Sequence, residues 1–164
     1  MARGQARHTL AWLQEQQSGI LAAVMSEEAE APDLVELWRE ASEAGERFDL
    51  DGVMAFYAPD AVYDLSHLGM GTFEGREAIR GFLVDWLGSY EEYERGSEEL
   101  LDLGNGVAFG LFVQKGRPAG SSSRVEERVA SVSEWEDGKV KRITSYSDID
   151  EARAAAERLA EERR

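Results

Sequence analysis

Apolar positions recur at Leu34, Leu37, Trp38 and Ala41. This i, i+3, i+4, i+7 spacing predicts an amphipathic helix. Asp33 stands where an N-cap belongs, and Gly45 is placed to end the helix. A short apolar run over residues 50–57 predicts a second helix, stopped by Pro59. Residues 61–65 read as a strand. Gly69, Gly71 and Gly75 break the chain around a very short second strand at residues 72–73. Residues 76–87 predict a third helix, with Ile79, Phe82, Leu83, Trp86 and Leu87 as its buried stripe.

After Gly88 the period changes from helical towards that of strands. Four extended segments come next, at about residues 93–102, 107–115, 125–136 and 140–147. The turns between them are Gly104-Asn105-Gly106, the longer GRPAGSSS and Asp137-Gly138. Short turns make neighbouring strands antiparallel. Asp148 and Glu151 form a capping box for a last helix with Ile149, Ala152, Ala156 and Leu159 on its apolar side. Arg153–Glu157 and Arg158–Glu162 are expected as surface i, i+4 pairs on it. Helices first and a meander afterwards give an α+β class, with helices packed on one face of a curved antiparallel sheet. The concave interior of such a sheet is expected to be a mostly apolar pocket.

Composition narrows the choice of partner. Lys and Arg number 18 against 33 Asp and Glu, a formal charge of −15. That balance argues against nucleic acid and against anionic membrane surfaces. An uncharged or cationic small ligand suits it better than a polyanion. Cys is absent and His8 and His67 are the two histidines, so a disulfide framework, a thiol nucleophile and a His-rich metal site are not expected. Nothing resembles a phosphate-binding loop or a nucleophile elbow, and no cofactor is implied. Residues 1–25 differ in composition from the remainder of the chain: they hold Arg3, Arg7 and His8, with Glu15 as their one acid. Their apolar run is too short for a membrane span or an export signal, which predicts a cytoplasmic protein. Residues 1–32 are therefore read as a weakly helical or loosely attached extension, and residues 33–160 as the domain.

Several residues are candidates for chemistry. Asp64 is an acid in the strand Ala61, Val62, Tyr63, Leu65. Facing inward near Phe56, Phe82 and Trp86, it would be desolvated and able to exchange protons near neutral pH; the plainer reading is a strand end that caps a turn at Ser66. Glu126 and Arg128 share one face of a strand. If that face is concave, Arg128 pairs with Asp64 or holds a substrate oxygen; the opposite parity buries Val129 and Ser131 instead. Val132 and Trp135 leave both parities open. His67 is a candidate general base, or an exposed loop residue. Tyr57 and Tyr146 are candidate hydroxyl donors, Phe82 and Trp86 candidate pocket wall, and Glu126 a candidate ligand contact. The run Glu91, Glu92, Glu94, Glu98, Glu99 reads as a solvated edge.

The motifs DLDGVMAFYAPDAVYDLS, FEGREAIRGFL, EDGKVKRITSY and SDIDEA, in this order and spacing, resemble the SnoaL-like, polyketide cyclase-like group of the NTF2-like superfamily over about residues 33–159. The resemblance implies an NTF2-like, cystatin-like cone whose curved sheet wraps N-terminal helices around an interior pocket. It also implies a homodimer through the sheet and a hydrophobic small molecule as partner. The ketosteroid isomerase pattern, an Asp base with a Tyr and a protonated Asp, falls here on Leu65, Ala41 and about Ser131, so its triad is absent. The Arg-x-Asp of limonene epoxide hydrolase and the paired histidines of scytalone dehydratase are missing too. Three functional readings are open. One is a cofactor-independent cyclase or isomerase in which Asp64 moves a proton and Arg128 steadies an enolate. Another is a non-catalytic apolar-ligand module, and the third an association domain.

Overall fold

A computed structural model describes residues 33–164; the expected loose helix within residues 1–32 lies outside the described residues. Asp33 caps α1 (Leu34–Glu46) by accepting the Glu36 amide, as its position predicts. Asp49 caps α2 (Leu50–Met54) in the same way through the Gly52 amide. β1 (Tyr57–Asp64), a 3-10 turn at Ser66–Leu68 and β2 (Thr72–Glu74) lead into α3 (Arg76–Gly88). The long strands β3 (Tyr90–Gly104), β4 (Val107–Pro118), β5 (Val125–Glu136) and β6 (Lys139–Tyr146) come after it, and α4 (Ile149–Glu162) ends the chain.

The strands form one sheet in the order β2-β1-β6-β5-β4-β3. β3 to β6 are an antiparallel meander as expected. β1 joins it parallel to β6, which makes the sheet mixed. The second helix is shorter than the sequence suggests, ending at Met54, and Pro59 lies inside β1 rather than at a helix stop. The ladder explains the exception: the β1–β6 register shifts between Tyr57 and Val62, so the missing proline amide falls in an irregular stretch. Three further register shifts along β3 help the sheet to curl.

Both faces of the sheet are covered. On the concave side Trp38, Tyr57, Ile79, Phe112, Trp135, Val140 and Ile143 pack among α1, α2 and α3. On the outer side Val107, Phe109, Leu111, Ala130 and Val132 pack against Ala152, Ala156 and Ala160 of α4. Asp148 caps α4 through the Glu151 amide, but Arg153 does not pair with Glu157 as expected: it reaches back to Glu99 on β3, with one contact of 3.0 Å. Gly110 matters to the concave core. A Cβ there would sit 2.8 Å from the Trp38 ring and 2.7 Å from Phe112, whose rings pack with centroids 5.3 Å apart.

Candidate functional site

The helices do not fill the cone. α1 contributes Trp38, Ala41 and Ser42, one face at i, i+3, i+4 spacing. The α3 stripe contributes Phe82, Leu83, Trp86 and Leu87. Of that stripe Ile79 is buried, whereas the other four remain half-buried because they border space instead of core. The sheet completes the wall with Tyr57, Tyr63 and Leu65 of β1 and its end, Tyr93 and Arg95 of β3, Phe112 and Gln114 of β4, Val129 and Ser131 of β5, and Val140, Ile143 and Ser145 of β6. Together these enclose a cavity of about 120 Å³.

Its polar groups are few. Tyr57 is buried, and burial pushes its hydroxyl well above the ordinary tyrosine range; Tyr63 adds to the rise and Arg95 opposes it. The Arg76 guanidinium holds the Tyr57 carbonyl at 2.7 Å, fixing the start of β1 against α3. Burial likewise raises Tyr93, whose hydroxyl donates to Gln114 Oε1 at 2.8 Å. Gln114 Nε2 in turn donates to Glu127 at 3.2 Å. Ser131 and Ser145 bond each other through their hydroxyls at 2.9 Å. Ser42 Oγ is buried with no hydrogen-bond partner among the described residues. Among the described residues Arg95 is the one charged side chain of the lining, its guanidinium 4.2 Å from the centre of the Phe112 ring. These residues offer the cavity protonated hydroxyls, the Gln114 amide and one cation. No carboxylate or imidazole lines it among the described residues.

Of the residues singled out from sequence, Tyr57, Phe82 and Trp86 line the cavity. Asp64 does not. Its strand neighbours Tyr63 and Leu65 face the interior, and alternation turns Asp64 to the outer face. There its carboxylate accepts from the Ser66 hydroxyl at 2.6 Å, the Ser66 amide at 3.0 Å and the Thr72 hydroxyl at 3.2 Å, and pairs with Arg142 at 2.6 Å. Led by the Ser66 hydroxyl, these contacts outweigh burial and hold its pKa at about 2. The ion-pair partner is Arg142, not Arg128. Arg128 is exposed and bonds Glu98 at 3.0 Å, and Glu126 is exposed on the same parity. β5 takes the other register, with Val129 and Ser131 inward. His67 is exposed and stacks on Tyr146, ring centres 4.4 Å apart, away from the cavity.

Arg95, Gln114, Tyr63, Tyr93 and Ser42 were not singled out from sequence. A usable signal lies in Tyr90-Glu91-Glu92-Tyr93-Glu94-Arg95, where Tyr93 and Arg95 share a parity against Glu92 and Glu94. Ala41, Leu65 and Ser131 also line the cavity.

The sequence matches the SnoaL-like domain family over residues 35–143. None of the curated proteins matches the chain in sequence. Among solved structures, the fold is similar to an NTF2-like protein of unknown function from Burkholderia pseudomallei, with TM-score 0.61 and 22% identity over 74% of this chain and 95% of that one. It is also similar to TerC co-crystallised with polyporic acid, with TM-score 0.60 and 15% identity over 76% and 97% of the two chains. A third is a candidate polyketide cyclase from Xanthomonas campestris, with TM-score 0.57 and 21% identity over 71% and 90%. At these identities the likeness shows the fold alone.

Proposed function

The chain belongs to the SnoaL-like domain family, and on that premise we propose that it is a small-molecule pocket protein whose interior receives a compact, largely apolar ring compound. The cavity carries this reading: Trp38, Phe82, Trp86 and Phe112 supply flat apolar walls, and a few hydroxyls and one guanidinium supply orientation. TerC, a protein of similar fold, was co-crystallised with polyporic acid, which supports a small molecule as partner here.

A cyclase or isomerase would polarise a carbonyl here until the adjacent carbon releases a proton. Arg95 and the tyrosine hydroxyls suit the polarising half of that task. The other half needs a base, and among the described residues the lining offers no carboxylate or imidazole, while burial keeps Tyr57 and Tyr93 protonated at neutral pH. This favours holding a ligand over turning it over. Native mass spectrometry of protein purified from its own host tests the reading. A retained small molecule is expected on the wild type and not on Ala41→Phe, which fills the cavity from α1. Retention that survives this substitution, or a bare chain in both, overturns it.

A further inference from the structure

The ligand's charge is written in one group of the cavity wall that the fold leaves unused. A guanidinium has five N–H donors, and at Arg95 none meets an acceptor among the described residues; its one close partner is the face of Phe112. Burying a cation without an anion is costly, and Arg95 is half-buried in the cavity wall. Trp38 packs against Phe112, and Phe112 lies under Arg95, so the cation sits at the edge of the cavity's aromatic wall. An acceptor of negative charge with a flat apolar body would satisfy the guanidinium and keep the aromatic walls in contact.

We propose that the cavity is a site for a singly charged organic anion on an apolar ring, its oxygens received by the Arg95 guanidinium. The inference rests on reading the cavity as a small-molecule site and adds the class of molecule. The chain's −15 charge repels polyanions at long range, yet at physiological ionic strength that field is screened within about 8 Å. A contact inside the cavity is not screened in the same way, so a monoanion is selected locally against the protein's overall charge.

Isothermal titration with a matched pair of single-ring probes, benzoate and benzamide, separates the anion inference from the pocket reading beneath it. The wild-type protein should bind the benzoate at least about tenfold more tightly, since charge-assisted hydrogen bonds are roughly twice as strong as neutral ones. Arg95→Met should erase that preference while keeping amide binding. Equal binding of both probes to the wild type overturns the anion inference and leaves the small-molecule pocket standing. Failure of both probes to bind overturns the two together.

Discussion

At the scale of single residues, Asp64 shows how one acid in a strand acquires its role from its neighbours. Three hydrogen bonds from Ser66 and Thr72 and an ion pair with Arg142 all favour the carboxylate, against the burial that opposes it. Its pKa falls from 3.8 to about 2. Because the folded value lies below the unfolded one, this stabilisation is complete above about pH 4 and is lost as the pH falls through 2. Arg142 is partly solvated, so Asp64→Asn should cost on the order of 1–2 kcal/mol at neutral pH. The difference from wild type should vanish near pH 2. Urea melts across pH 2 to 7 measure this, and a constant difference between the proteins would show that ionisation is not the source. Binding of cavity ligands should be unchanged, since the side chain does not line the cavity.

Among the elements, the turns carry the meander's register. Asp137 and Gly138 both take positive φ, 53° and 74°, which suits the two-residue hairpin joining β5 to β6. The Gly104-Asn105-Gly106 turn joins β3 to β4 with φ of 85°, 58° and 77°. Asn105 is tied beyond its own hairpin, donating to the Ala160 carbonyl of α4 at 2.7 Å. Gly106 has less freedom still, because a Cβ there would lie 2.6 Å from the Trp135 carbonyl oxygen. Gly106→Ala should therefore destabilise by about 1–3 kcal/mol, combining a strained φ with a backbone clash. A denaturant midpoint equal to wild type would count against this account. Asp148 and Asp33 perform the cap roles their positions predict.

For the whole molecule, the outer face of the β3–β5 region carries paired charges: Arg128 with Glu98, and Glu94 and Glu126 on either side of Lys115 in register. The acidic run on β3 also protects that edge, since charged side chains discourage pairing with another strand. We propose the homodimer expected from the sequence as an association across this outer face. Twofold pairing of a surface carrying both signs of charge can be self-complementary. Sedimentation at micromolar concentration should give twice 18.2 kDa. The dimer should weaken as salt rises from ~0.05 to ~0.5 M, where screening shortens to a few Å. An 18.2 kDa species throughout would sink the proposal.

Local periodicity and turn chemistry are enough to encode the order of helices and strands, the caps, the hairpins and the aromatic stripe of α3. The motifs add the α+β cone they resemble. Which way β1 and β5 face was settled in three dimensions and nowhere else. The sheet is buried on both sides, by α1–α3 within and α4 without. Over its centre, alternation therefore reads apolar on either parity, as Val132 under α4 and Trp135 in the concave core demonstrate. Asp64 and Arg128 were legible as unusual strand residues, but their side of the sheet was not. In the sequence Arg95 stands among Glu91, Glu92, Glu94, Glu98 and Glu99. Only the folded chain shows that its neighbours Glu94 and Glu98 turn outward, while its own guanidinium meets Phe112 at the cavity wall. A side chain's lack of a partner is a property of everything packed around it, so no stretch of sequence carries it.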